Sequence, residues 1–418
     1  MPALRAFPGI RYDLDHVGAR LDALTAPPYD VIDEEERAAL EQAHPLNSVR
    51  LILPREQAPG DAPRRSAKAL ANWRAEGWLK SDPPGLYAYA IDHDARASKT
   101  TVGVLGALEL ALPSSGAVLP HERTMPKPKG DRLELLRAVR ANLDPIWLLS
   151  LASGLTELLG AEASGAASGA CRSTDGALHR VGQIVDPELV RAIGANVASA
   201  PVVIADGHHR YETALAYQEE CRAAGLGAGP HDAILAYVVE LGGTALSVEP
   251  IHRLLQGTRG AMSLKRLLEA SFSISPVESS SGETGPARLD ELLAQMEHRG
   301  GLGLVDAEGL ASLELRPGAD SAALAPVAPE LRDVPATWFD ALVLPALGSP
   351  APSVSYRNDA RTVTELVYKG SFDAAVLLRP VPVERIRSVA LAGLQMPPKT
   401  TYFRPKPCTG MVMRALDV

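Results

Sequence analysis

Five residues of special type stand together at Asp206, Gly207, His208, His209 and Arg210, inside the segment PVVIADGHHRYETALAY. Val202, Val203 and Ile204 are β-branched and predict a strand. Gly207 permits a sharp turn and a close backbone approach, and the residues from about His208 to Ala223 read as a helix. A helix opening there points backbone N–H groups and a partial positive charge beyond the strand end. Two imidazoles and a guanidinium add to that field, so the junction is expected to receive an anion, with Arg210 gripping a phosphate bidentately. The alternative is that Asp206 caps the helix while the histidines pack or face water.

Two further polar segments have the same character. His121, Glu122 and Arg123 lead into a basic, proline-interleaved loop that carries Lys127, Lys129 and Arg132. A carboxylate in basic surroundings stays ionised and can take a proton from a hydroxyl, which makes Glu122 a candidate general base. Equally, Glu122 can sit in a structural ion pair with Arg123, Arg132 or Arg140. The last segment is KTTYFRPK, residues 399–406. Extended, it places Thr400, Tyr402, Arg404 and Lys406 on one face, where they can reach one ligand. Otherwise it is an edge strand protected from aggregation by its lysine and prolines.

The elements that must position these residues follow a mixed α/β pattern. Extended runs are expected at 3–10, 48–53, 86–91 and 101–110, with helices opening at Asp33, where Glu36 completes a capping box, and at about Arg65. Asp131 and Glu134 mark another helix start. The Ala-, Gly- and Ser-rich stretch 153–180 reads as an exposed excursion. A helix follows Asp186, and two strands, 234–239 and 245–251, are expected to join over Gly242 and Gly243. SSSGETG at 279–285 reads as a loop, followed by a helix near Leu289 to Met296 and a hairpin in GLVDAEGLASLEL. A strand at 374–378 and a helix near 383–392 close the pattern. The expected organisation is a main α/β region over 1–255, an accessory unit over 256–345, and a C-terminal segment, 346–418, that returns to the main region.

Composition narrows the class of function. With 418 residues, 46% of them hydrophobic, the chain can bury a full core. No apolar run reaches the roughly 20 residues of a membrane span, and none at the N-terminus resembles a signal peptide, so a cytoplasmic protein without a membrane partner is expected. A net charge of −8 gives no global attraction for DNA or RNA. Cys171, Cys221 and Cys408 are odd in number and far apart, which supports neither a disulfide framework nor a structural zinc. Phosphate-binding glycine loops of the P-loop and dinucleotide types are missing, as is a nucleophile elbow. Adjacent rather than i, i+4, His208 and His209 do not suit joint metal ligation from one helix face.

Taken in order, RAFPGIRYD, APPYDVID, LPHERTMPKPKGDRLELLRAVRAN, IADGHHRYETALAY and MPPKTTYFRPKPCTG resemble the bacterial domain-of-unknown-function family 1015. The resemblance spans nearly the whole chain and names no activity. More distantly, the DGHHR turn is similar to the phosphate-binding turn of the ParB and sulfiredoxin superfamily, which includes kinases of free serine. That likeness implies an α/β fold of mixed sheets with a nucleotide-binding core. It further implies ATP or ADP with Mg²⁺ as cofactors and a phosphotransferase acting on a small hydroxylated, amino-acid-like substrate. Asp206, Gly207, His208, His209 and Arg210 match the turn. Glu122 is then the base and Asp206 and His209 the other catalytic groups, with Lys127, Lys129, Arg132, Arg404 and Lys406 supplying positive charge. Glu34, Glu35 and Glu36 are rival carboxylates. Sulfiredoxin chemistry is not implied, because the turn contains no cysteine. The other reading is a nucleotide-binding regulatory or partner-binding protein without fast turnover; a homodimer is compatible with either.

Overall fold

Strands that are buried on both faces need apolar side chains at every position, and three segments meet that demand. Leu86–Asp92, Ile146–Ser150 and Ala233–Glu240 are buried along almost their whole length. In the computed structural model, which describes residues 1–94, 99–124, 128–164, 168–242, 245–258, 263–277, 286–318 and 320–417, they lie inside one mixed sheet. Its order is 118–120, 202–206, 146–150, 233–240, 100–109, 86–92, 178–184, 169–172, with Leu4–Arg5 also paired to 100–109. Val202–Asp206 runs parallel to Val118–Pro120 and antiparallel to Ile146–Ser150. The helices Leu155–Ser164, Pro187–Ala198 and His208–Ala223 contribute Leu155, Leu159, Ile193, Val197, Tyr211 and Ala214 to the core on this sheet. A small second sheet joins Leu79–Ser81, Gly9–Tyr12, Met413–Ala415 and Ala141–Asn142.

The chain divides into two units. The first comprises 1–120, 124–247 and 405–418; the second comprises 121–123 and 248–404. At the centre of the second unit is an antiparallel sheet in the order 272–276, 309–315, 302–306, 374–377, 252–256, 353–357. The helices Pro286–Arg299 and Ala360–Tyr368 cover it with Leu289, Leu292, Met296, Val363 and Val367. Because strands on both sides of 256–345 complete that sheet, the unit is longer than the accessory region read from sequence. The part of the C-terminal segment that belongs to the first unit is 405–418.

Several elements follow their local signals. Asp33 caps Glu34–Ala43 by accepting from Glu36 N–H at 2.9 Å, Asp186 caps Pro187–Ala198, and Leu302–Asp306 with Gly309–Leu315 forms the expected hairpin. Others differ. The 48–53 run is a helical turn, Val49–Ile52, because the Asn47 side chain accepts from Val49 N–H and starts a turn before the apolar residues. Ala233–Glu240 pairs with 100–109 and 146–150 rather than with Ser247–Pro250, which pairs with Thr401–Arg404. Gly243 of the expected connection and the 279–285 loop lie outside the described residues. The described residues of the small-residue stretch 153–180 hold a helix and two strands, with Cys171 and His179 buried. Pro128, favourable at a helix start, opens Pro128–Val139, so Asp131 lies within its first turn rather than at the cap. Among the described residues, no helix is long and apolar enough to cross a membrane.

Candidate functional site

The strand Val202–Asp206 ends where the helix His208–Ala223 begins, and Gly207 makes the corner at φ +93°. A Cβ at that position would stand 2.8 Å from Ile146 Cγ2, so both backbone and packing require glycine. Asp206, His208 and His209 are half-buried and line the corner. The cap residue has no side chain, so no oxygen of its own stands before the first turn.

Around this corner, charges of alternating sign form a chain within the first unit. Lys406 donates to Asp30 Oδ2 at 2.9 Å and to Asp206 Oδ1 at 2.7 Å, with its side chain only 6% exposed. Arg210 Nη2 holds Asp206 Oδ2 at 2.6 Å, and Arg210 Nη1 holds both Asp144 and the carbonyl of Pro145. Arg210 therefore turns inward to two carboxylates instead of presenting its fork to a ligand. The reason is proximity: Asp144 and Asp206 already offer the anionic partners that a buried guanidinium demands. Burial alone would lower the Arg210 pKa, but Asp144 and Asp206 outweigh it and raise the value.

Arg132 lies in the same unit, donating to Ile52 O at 2.9 Å and stacking over the Tyr29 ring at 4.3 Å. Burial pushes the Tyr29 hydroxyl up to about 12. Tyr29, Arg132, Asp144, Arg210 and Thr213 help line a cavity of about 60 Å³. It has room for a few waters or a small aliphatic group, not for a nucleoside. Two buried atoms of its lining residues, Arg210 Nε and Thr213 Oγ1, make no hydrogen bond among the described residues.

Glu122 belongs to the second unit, where its carboxylate meets backbone. Its carboxylate accepts from Lys399 N–H at 2.7 Å, Thr400 N–H at 3.0 Å and Thr401 N–H at 3.3 Å. Lys399 sits at φ +59°, and the successive N–H groups form a concave cradle of the kind that binds anions. His121 and Arg123 frame Glu122 by pairing with Met396, and Arg123 approaches Asp340 at 3.8 Å. The expected arginine partner of Glu122 is thus replaced by backbone. From the other side, Arg253 donates to the carbonyls of Lys399 at 2.8 Å and Pro398 at 3.3 Å, and its guanidinium stacks on Phe339 and Tyr356.

The remaining candidates separate. Arg404 pairs with Glu249 at 3.2 Å in the second unit, while Lys406 pairs with Asp30 and Asp206 in the first. Lys127 lies outside the described residues, as does the Lys129 side chain. Of the rival carboxylates, Glu34 pairs with Arg55 at 2.6 Å and Glu36 accepts from Thr174 at 3.1 Å. Tyr29, Asp30 and Asp144 escaped the residue-level reading; PPYD and NLDP carried them, but no spacing links either to residue 206. Among the described residues, no group of three or more His, Cys, Asp or Glu is set to hold a metal ion.

Comparison with solved structures matches a conserved hypothetical protein from Pyrococcus furiosus, 12% identical, covering 74% of this chain and 93% of that one at a TM-score of 0.37. Free serine kinase in complex with AMP is 13% identical over 72% of this chain and 86% of that chain, at 0.38. SbnI from Staphylococcus aureus, truncated at its C-terminus, is 13% identical over 73% and 85%, also at 0.38. None of the curated proteins matches the sequence. The model of the family described as protein of unknown function (DUF1015) matches residues 4–332, and the chain belongs to that family.

Proposed function

We propose that the Asp206–Arg210 corner binds the phosphates of ATP or ADP, with Mg²⁺, and that the protein transfers a phosphoryl group to a hydroxyl of a small amino-acid-like substrate such as serine. The observation that carries this reading is the glycine-capped start of a 16-residue helix set beside the buried ammonium of Lys406. A helix N-terminus favours an anion at its first turn, and the half-buried His208 and His209 open that turn, with the Lys406 ammonium bonded to Asp206 just before it. Asp206 and Asp30 supply carboxylates that can orient a hydroxyl or hold a phosphate-bound Mg²⁺. Arg210 acts through Asp206, fixing its position. Catalysis of this kind rests on placement and charge neutralisation.

One observation favours the second reading, a nucleotide-binding regulator without fast turnover. Asp30, Asp144 and Asp206 each already hold a cation, and Glu122 holds three backbone N–H groups. Phosphorus NMR of the protein with ATP or ADP, Mg²⁺ and a panel of amino acids separates the two. A new phosphomonoester signal supports the kinase; calorimetric binding without one supports the regulator. No binding of either nucleotide refutes both.

A further inference from the structure

The cavity that Arg132, Asp144 and Tyr29 share in the first unit gathers polar groups that the chain leaves without partners. Arg132 uses Nη1 on the carbonyl of Ile52, and its Nε and Nη2 make no hydrogen bond among the described residues. Asp144 gives Oδ2 to Arg210, and its Oδ1 accepts from no described group. The Tyr29 hydroxyl is equally open, although its ring lies under the Arg132 guanidinium. All three residues are half-buried, where polar groups are normally paired. Leu135, Leu136, Leu143 and Ile234 form apolar walls, which strengthen any charge pairing made between them. Size limits what fits: at about 10–15 Å³ for each water, a cavity of about 60 Å³ takes about four to six atoms other than hydrogen. The ammonium, α-carbon and carboxylate of an amino acid have that size.

We propose that this cavity binds a free α-amino acid, with the carboxylate on the Arg132 fork and the Tyr29 hydroxyl, and the ammonium on Asp144 Oδ1. The open Nε and Nη2 edge of a guanidinium matches a carboxylate bidentately. Neither charge suits the cavity alone. A simple carboxylate would stand beside the anion of Asp144, and a simple amine beside the cations of Arg132 and Arg210; a zwitterion meets both signs. Both ends of the ligand must therefore be unblocked, which excludes a residue within a peptide. Arg210 joins the cavity to the phosphate corner, since Nη1 holds Asp144 and Nη2 holds Asp206 at 2.6 Å. A short side chain projecting along that guanidinium carries its hydroxyl toward the corner. As the acceptor site the cavity rests on the phosphotransfer reading; as an amino-acid site it does not.

The test is saturation-transfer NMR on the native full-length protein without nucleotide, titrating L-serine, L-alanine, N-acetyl-L-serine and L-serinamide. Serine and alanine should saturate and displace each other, while the two blocked compounds, each lacking one charge, bind at least about tenfold more weakly. Arg132→Gln should weaken serine by about tenfold or more. Leu136→Phe, which fills the cavity without touching a charge, should abolish serine binding and decides the matter if Arg132→Gln does not fold; if neither folds, the ligand series on the wild type decides. No saturable binding of serine or alanine, equal binding of the blocked compounds, or serine binding intact in both variants overturns the proposal. So does an Arg132→Gln protein that loses ADP affinity and keeps serine, because Arg132 then belongs to the phosphate corner. Serine binding without nucleotide binding or a phosphomonoester refutes the phosphotransfer reading and supports the amino-acid site.

Discussion

Two polar regions of similar composition solve the problem of buried charge in opposite ways. In the first unit, charge meets charge: Asp30, Lys406, Asp206, Arg210 and Asp144 alternate in sign. In the second, charge meets backbone: Glu122 sits on three N–H groups, and Arg253, 1% exposed, holds three carbonyls. An ion-paired cluster can exchange one anion for another on the same cation. A carboxylate seated on successive backbone donors instead fixes the path of the chain. The first arrangement suits a site that admits an ionic ligand; the second suits a clamp.

Removing the shared carboxylate of the cluster should have the largest effect. Asp206→Asn leaves Lys406 and Arg210 each short of one partner in a poorly solvated place, and a loss of about 3–5 kcal/mol is expected in denaturant unfolding. A loss near zero would mean that water screens the cluster, and the contrast between the two regions would collapse. Gly207→Ala should cost about 2 kcal/mol, from the positive φ and the contact with Ile146, and should weaken anion binding at the corner. Unchanged nucleotide affinity in a folded Gly207→Ala protein would remove the corner as the site.

Glu122→Gln sharpens the comparison from the other side. It should cost about 1–3 kcal/mol and speed hydrogen exchange at Lys399, Thr400 and Thr401, because the amide accepts less strongly than the carboxylate. If stability and exchange hold while phosphotransfer falls by about a hundredfold or more, Glu122 is a general base and the clamp reading is wrong.

The smallest effect near neutral pH, and one that the two units share, comes from buried histidine. Burial lowers His179 in the first unit and His252 in the second from 6.5 to about 4. Each is neutral in the folded protein; His252 Nδ1 accepts from Leu378 N–H, a bond that protonation would break. Between those values the unfolded chain binds more protons, so stability is complete above about pH 6.5 and falls as the pH drops toward 4. The expected loss is about 1.4 kcal/mol per histidine at pH 5.5, checked by unfolding across that range. His179→Gln should flatten the profile by one proton, leaving the His252 share.

Much of the corner was legible in the sequence. A β-branched run ending in Asp-Gly and followed by a helical pattern dictates strand, turn and helix by local sterics, and the strand and helix lie at Val202–Asp206 and His208–Ala223. The caps at Asp33 and Asp186 are local in the same sense. Short apolar runs were less legible: 48–53 carries no period that separates strand from helical turn, and Asn47 decides between them. What each charge binds was not legible at all. Arg210 and Asp144, Lys406 and Asp30, and Glu122 and Thr400 meet across long stretches of chain. The sequence by itself determined residue types, local turns and the anion-favouring helix start, because those depend on neighbours a few residues away. Only the tertiary structure decided which charges neutralise one another, because Coulomb and hydrogen-bond energies depend on separation in space, and folding alone sets that separation.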